Sequence, residues 1–472
     1  MLECDYLIVG AGASGMVFAD ELLTQTDADI IIVDRQDRPG GHWNHAYPFV
    51  ALHQPSAFYG AGSMELGANR IASSGINAGL YEQASGLEVS AYFERLMRER
   101  FLPSGRVRYF PMSDYEGNWQ DTHRICARLS QREQSVTVRK RVVSTNHYSV
   151  STPTTHTPNF LALKAAISTP GELPRKATGY EHFGVLGAGK TAMDVLLWLL
   201  DNDVSPDRIT WFAPRDSWLT NRETVQPGDR HRQRMLESQL NKLTAYAEAQ
   251  DLDDMFSRLE ASQEIFRIYP DVKPTMHYGA TVSPGELLQL RRIRNVVRQG
   301  HVLCIEGSSV ELEQGKHAMP HDALFVDCTA RGLNYRQTRD VFDGKRITLQ
   351  MVRRSLVSLS AAATAFVEAR YSDDGLRNRI CRPIPYGDQL SSWISCALVD
   401  LEAQELWAGE ADLRAWLRTH RLMGAGIGAG SAPDPRLKAI ARSIADMKPR
   451  AIERLRVLSG GGVYDPQVRQ AA

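Results

Sequence analysis

The chain has 472 residues, 43% hydrophobic and 23% charged, with Lys+Arg and Asp+Glu each totalling 55. This is the composition of an ordinary globular protein with room for two or three domains, and the charge balance excludes a global field that would draw nucleic acid or a membrane surface. No apolar run reaches the roughly 18 residues of a membrane span, and no signal-peptide layout precedes the first strand, so the expected location is cytoplasmic, with no membrane and no nucleic-acid partner.

The chain opens with a strand-like run ending in Val9-Gly10-Ala11-Gly12-Ala13-Ser14-Gly15. An amphipathic segment from Met16 to Leu23 follows, and a second apolar run, Ile30 to Val33, ends in Asp34 and Arg35. Strand, Gly-x-Gly-x-x-Gly, helix, strand and acid about 20 positions on make a dinucleotide-binding βαβ unit. Gly10 permits the tight turn, Gly12 lets backbone approach a pyrophosphate, and Gly15 lets helix pack on sheet. The N–H groups of the helix start, including Ala13 and Ser14, face the phosphates. Asp34 is placed to accept from both ribose hydroxyls.

The next stretch, Gly40-Gly41-His42-Trp43, is too glycine-rich for an element interior and suits backbone lying against a flat ligand. His53-Gln54-Pro55-Ser56 is a polar and aromatic loop of the kind that lines sites. Helical spacing predicts a helix over 88–102. The short runs at 107–110, 125–129, 136–138 and 142–147 predict the antiparallel strands of a small sheet or meander, and 151–158, rich in Thr, Ser and Pro, reads as a linker.

A second unit begins at Phe183, with Gly187-Ala188-Gly189-Lys190-Thr191-Ala192 at its turn and Ile209 to Phe212 as its next strand. Ala192 stands at the third glycine position, and Arg215 follows the strand where the first unit has an acid. An arginine there grips a 2′-phosphate through charge-assisted bonds and favours NADPH; Lys190 and Arg222 are candidates to join it. Residues from about 229 to 300 read as a helical insertion. Strand-like runs return at 301–306, 310–312 and 323–329, the last containing Asp327 and leading to Gly332. Helical stretches at 355–370, 398–419 and 433–456 close the chain, with Gly424, Gly426, Gly428 and Gly430 as a flexible connector. The six cysteines, Cys4, Cys126, Cys304, Cys328, Cys381 and Cys396, form no CxxC or close pair, which argues against a disulfide framework and against a metal site.

Two dinucleotide units call for two ligands. Hydride exchange between two nicotinamides yields no new product, so NADPH in the second unit leaves FAD for the first, where a flavin accepts the hydride and passes electrons on. The chain resembles the flavin-containing and Baeyer–Villiger monooxygenase group in four places: Gly10, Gly12 and Gly15 with Asp34; Gly40-Gly41-His42-Trp43; Gly187 to Asp194 with Arg215; and Asp322 to Gly332. Together these span about residues 5 to 332. The resemblance implies an α/β fold of two Rossmann-like domains, with the NADPH domain (179–325, including the helical insertion) set into an FAD domain formed by 1–178 and 326–472 with its C-terminal helices. It also implies that NADPH reduces FAD, that oxygen adds to the flavin as a C4a-hydroperoxide, and that one oxygen atom enters a small organic substrate while NADP⁺ shelters the intermediate. By position Gln54 resembles an asparagine that the flavin-containing branch keeps near that peroxide, and His42 and His53 are the titratable neighbours. Cofactor contacts are expected from Gly10, Gly12, Ala13, Ser14, Gly15, Asp34, Arg35, Gly41, His42, Trp43 and Gln54 for FAD, and from Gly187, Gly189, Lys190, Thr191, Arg215 and Asp327 around the second unit.

The region before the second unit lacks the Phe-x-Gly-x-x-x-His signature of these monooxygenases. A flavoprotein oxidase or reductase without productive oxygenation shares every cofactor motif and stands as the alternative. A non-catalytic nucleotide-binding protein is the alternative of another class, opposed by two intact glycine turns. A disulfide reductase would need a close cysteine pair near the first helix.

Overall fold

Two parallel sheets, each wound around one glycine turn, set the architecture. The computed structural model describes residues 2–277, 279–387, 389–424 and 434–460; the expected connector glycines Gly426, Gly428 and Gly430 lie outside these. In the first unit β1 (Leu2–Val9) leads through the turn into α1 (Ala13–Gln25) and back to β2 (Ile30–Val33), whose four residues are all buried. β2 pairs in parallel with β1 on one side and with β3 (Val107–Phe110) on the other. The long strand β4 (Glu133–Ser144) pairs in parallel with β1, with a bulge between Cys4 and Tyr6, and Arg346–Thr348 adds in parallel beyond it. Residues 107–110 therefore belong to the dinucleotide-binding sheet, and the runs at 136–138 and 142–147 fall largely within one strand. Only 113–117 and 123–127 form the expected antiparallel meander, together with the start of β4.

The second sheet is ordered 296–297, 209–212, 182–186, 323–327, 166–168, all parallel. Its central strand β5 (His182–Leu186) feeds α2 (Lys190–Asp201) and then β6 (Ile209–Phe212), while β7 (Ala323–Asp327) lies on β5's other side. The expected boundaries after 178 and 325 cut this sheet: strand 166–168 precedes the first boundary and β7 crosses the second, because their backbone groups are satisfied by pairing here. The two crossings between units lie side by side, since 149–151 and 332–334 form a two-stranded antiparallel ribbon.

The span 229–300 is helical at Arg232–Glu248, Leu252–Ala261 and Pro284–Leu290, as expected, but it also supplies Ile265–Phe266 and Thr281–Val282 to a small sheet with Leu219–Asn221, and Val296–Val297 to the main second sheet. Helices Val357–Arg370, Ser392–Gly409, Ala411–Thr419 and Pro435–Leu458 complete the C-terminal region. The first of these packs on α1 and closes the core of the first unit, with Phe18, Leu22, Ala362 and Phe366 buried between.

Candidate functional site

The glycine turns explain themselves atom by atom. Gly10 has φ +112°, and a Cβ there would stand 2.1 Å from Thr145 Oγ1; at Gly15 it would stand 2.1 Å from the carbonyl oxygen of Gly10. Gly187 repeats the pattern in the second unit, with φ +114° and the Cys328 carbonyl 2.6 Å from its missing Cβ. These three glycines are required by the protein's own packing.

Gly12 and Gly189 differ. Each is the N-cap of its helix, α1 or α2, and neither helix has a side-chain cap. A Cβ on Gly12 would meet only Gly41 Cα, at 3.6 Å, and one on Gly189 nothing within 4 Å. Both face one cavity of about 1250 Å³ that runs between the two units. A side chain at either place would fill the space in front of uncapped N–H groups, where a phosphate binds. The two cradles fit the pyrophosphates of two dinucleotides.

From the first unit, Gly12, Ala13, Ser14, His42, Trp43, His53 and Gln54 line this cavity; from the second, Gly187, Gly189, Lys190, Thr191 and Arg215 do. Gly10, Gly15 and Gly41 shape its wall from behind, with Gly41 at φ +62° bringing its loop against Gly12. Arg35 is outside the lining, exposed and 3.6 Å from Asp114. Asp34 is also off the cavity: Oδ2 accepts the Ala11 N–H at 2.5 Å and Oδ1 the Gln36 N–H at 2.8 Å. Burial raises the Asp34 pKa, and these two N–H groups offset only part of the rise. Around it, the buried Tyr109 hydroxyl and Asn44 Oδ1 have no hydrogen-bond partner, and neither residue lines the cavity.

Trp43 is fixed by a hydrogen bond from Nε1 to the Tyr59 hydroxyl, 2.8 Å, and its ring lies 5.1 Å from that of His42. The His42 side chain is exposed where it opens on the cavity, yet desolvation by the protein around it, aided by His45, pulls its pKa down to about 4, and desolvation with the charges of Lys190 and Arg222 holds the half-buried His53 well below its ordinary value. Both rings are neutral near pH 7. Gln54 Nε2 donates to the Phe58 carbonyl at 3.2 Å, which orients its amide in the lining.

Lys190 pairs with Asp194 one turn on, and Asp194 also accepts the Tyr47 hydroxyl at 2.6 Å. Arg222 is not in a phosphate pocket. It is 1% exposed and paired with Glu286, with further bonds to Asn77, the Thr281 carbonyl and the His53 carbonyl. Asp327 is buried and outside the lining; it accepts both the N–H (2.9 Å) and the hydroxyl (2.6 Å) of Thr329. That hydroxyl, 3.0 Å from His156 Nε2, faces the cavity with the histidine. Since Thr329 gives its proton to Asp327, His156 Nε2 is the donor to Thr329. Sequence reasoning passed over His156 and Tyr47. The residue beside a glycine-aromatic loop and the single histidine of a presumed linker were the available signals.

A model of the NAD(P)-binding Rossmann-like domain matches residues 8–74, the first βαβ unit and the loop after it. The uncharacterized proteins Rv2000 of Mycobacterium tuberculosis and Mb2023 of Mycobacterium bovis are each 44% identical over 422 residues, covering 89% of this chain and 78% of theirs. The chain belongs to their family. Among solved structures, a polycyclic ketone monooxygenase from the thermophilic fungus Thermothelomyces thermophila is similar over 94% of this chain and 88% of its own, with TM-score 0.52 and 13% identity. A flavin-containing monooxygenase from Stenotrophomonas maltophilia is 16% identical, over 78% of this chain and 98% of its own, with TM-score 0.48. The likeness to the fungal enzyme shows a shared fold, and the expectation of two Rossmann-like domains is met. Among the described residues no helix is long and apolar enough to cross a membrane.

Proposed function

We propose that the protein is an FAD-dependent, NADPH-using oxidoreductase that inserts one oxygen atom from O2 into a small organic substrate. The observation that carries this reading is the single cavity shared by the two uncapped helix starts at Gly12 and Gly189, with Trp43 and Gln54 in its wall. One dinucleotide site alone would suit a sensor or a dehydrogenase; two that open on each other suit electron passage between bound dinucleotides.

FAD, when bound, supplies a two-electron carrier that accepts a hydride from NADPH and reacts with oxygen. The residues do the rest. The Gly12 to Ser14 backbone and the α1 N-terminus hold the FAD pyrophosphate, and Asp34, behind the cavity wall, fixes the glycine turn by accepting the Ala11 N–H. Gly189, Thr191 and Arg215 hold NADPH. The Trp43 loop, fixed by Tyr59 and by the fit of Gly41 against Gly12, excludes water along one wall. Gln54, oriented by the Phe58 carbonyl in the cavity wall, would offer its free amide N–H to a ligand oxygen held there, a preorganised donor of the kind that lowers barriers. His42 and His53, held neutral by the protein and charges around them, keep competing positive charge away from that amide. Cytoplasmic location and domain limits near 1–160, 161–330 and 331–472 accompany this reading.

Rapid mixing tests it. FAD-loaded protein, yellow as purified or after FAD addition, should lose its oxidised-flavin absorbance under anaerobic NADPH. On oxygen addition a transient spectrum, neither reduced nor oxidised flavin, should precede reoxidation. Failure to bind FAD would overturn the flavoprotein reading. Direct reoxidation without a transient, with and without apolar ketone, amine and sulfide substrates, would replace oxygenation by an oxidase or reductase activity.

A further inference from the structure

The acid that the second unit lacks after β6 arrives from a distant part of the chain. Arg215 lies in the cavity lining, and so do His301 and Glu313, which flank the hairpin formed by Val302–Glu306 and Ser309–Leu312. Glu313 is held in place there. Its Oε2 accepts the His301 backbone N–H at 3.0 Å, and its Oε1 lies 3.2 Å from His301 Nδ1. Gly300, at φ +81°, lets the chain turn tightly beside this carboxylate, and a Cβ there would stand 2.3 Å from Oε2. His301, through its N–H and its ring, and Arg215, through its field, all favour the charged form of Glu313.

Other charges nearby are already matched. Asp216 accepts two bonds from Arg298, 2.7 and 3.1 Å, and Lys190 is paired with Asp194. Among the described residues beside this hairpin, that leaves the Arg215 guanidinium and, opposite in sign, the Glu313 carboxylate with its His301 partner. A 2′-phosphate is drawn by the first and repelled by the second. A ribose with free 2′- and 3′-hydroxyls loses nothing without Arg215 and gains an acceptor in Glu313, the role that acids play after the second strand of NAD-binding units.

We propose that Glu313 is a coenzyme-specificity residue that opposes Arg215, so that the pocket accepts both NADPH and NADH and the carboxylate sets the ratio. This rests on reading the second unit as the nicotinamide-dinucleotide site. It changes what Arg215 alone implies, which is a firm preference for NADPH.

The test is calorimetric titration of the FAD-loaded protein with adenosine 2′,5′-bisphosphate and with 5′-AMP, fragments that differ at the 2′-position and need no turnover. The unaltered protein should bind the two within about threefold of each other, and Glu313→Gln should raise the bisphosphate-to-AMP affinity ratio about tenfold, the effect of one charge at partly exposed distance. Arg215→Ala should lower the same ratio by about tenfold. Both sites are on exposed loops, and thermal melting checks that each variant folds. A ratio unmoved by Glu313→Gln, in a folded variant that still binds both fragments, overturns the role of Glu313 and leaves the coenzyme site standing. Binding of neither fragment by the unaltered protein overturns the coenzyme site and the proposal together.

Discussion

Arg222 and Glu286 form a buried ion pair with two bonds, Nη1 to Oε1 at 2.6 Å and Nη2 to Oε2 at 2.8 Å. The remaining guanidinium hydrogens reach Asn77 Oδ1, the Thr281 carbonyl and the His53 carbonyl, so every donor of Arg222 is used. The pair ties the second unit to the loop that carries His53 and Gln54. Because the partners are desolvated, removing one leaves a buried charge, and Arg222→Met should cost about 3–5 kcal/mol of stability. Replacing both with apolar residues of similar volume should recover most of the loss. Chemical denaturation of the three variants checks the difference. Glu286 adds a pH signature. Burial pushes its pKa up, but Arg222 and the other contacts outweigh burial and hold it below the ordinary 4.5. Its contribution should be complete above about pH 4.5 and should fade as pH drops through the lower, folded-state value.

Tyr47 and Asp194 make the second tie between units, and it sits one residue past the first-unit loop of Gly41 to Ala46. The adjacent Phe49 stacks on Trp198, 5.2 Å between rings, so the loop meets α2 on consecutive turns of one face. Tyr47→Phe keeps the ring and removes a single buried bond, which predicts a loss of about 1 kcal/mol. Asp194→Asn should lose more, since Lys190 would then keep its charge without a partner. Equal stability of Tyr47→Phe and the unaltered protein in denaturant titrations would show the contact to be idle.

The first unit was legible because each of its residues is fixed by local geometry: turn, helix start and strand end lie within about 35 residues of one another. Arg222 was misread as a surface or phosphate-binding charge because Glu286, which decides its role, is 64 positions away. Glu313 was invisible for the same reason. Alternation marks a strand but not its partner, so Val107–Phe110 read as part of a meander although it pairs in parallel with β2. In β4 the exposed Arg139 and Lys140 interrupt the alternation and divided one strand into two runs. The orientation of Gln54 depends on the Phe58 carbonyl, a loop contact with no sequence period.

Gly12 separates binding from folding. Its missing Cβ would touch only Gly41 Cα at an ordinary 3.6 Å, whereas the one at Gly10 would strike Thr145 at 2.1 Å. Gly12→Ala should therefore melt within about 0.5 kcal/mol of the unaltered protein. Its methyl group should still reduce FAD affinity about tenfold or more by standing where the pyrophosphate approaches the helix start. Gly10→Ala, with φ +112°, should lose stability itself. FAD titration followed by fluorescence, beside thermal melts of both variants, reads the two effects apart. If Gly12→Ala bound FAD normally, the α1 cradle would not be the phosphate site.

His42 supplies a prediction with a definite sign. Its side chain is exposed where it opens on the cavity, yet desolvation by the protein packed around it pulls its folded-state pKa to about 4 from an ordinary 6.5. Between these two values the unfolded chain binds a proton that the folded chain refuses, so stability from this residue is full above about pH 6.5 and declines as pH falls toward 4. Replacing His42 by Asn should flatten the acid side of the stability curve in that window without moving it above pH 7. The imidazole resonances of the unaltered protein should include one that fails to titrate near 6.5 and disappears in His42→Asn. A neutral ring can take up a proton but cannot serve as an acid near pH 7. The rate of flavin reduction by NADPH should accordingly show no inflection from His42 between about pH 6 and 8. An inflection near 6.5 that His42→Asn abolished would mean that solvent in the cavity, onto which the exposed ring opens, outweighs the desolvation by the protein around it.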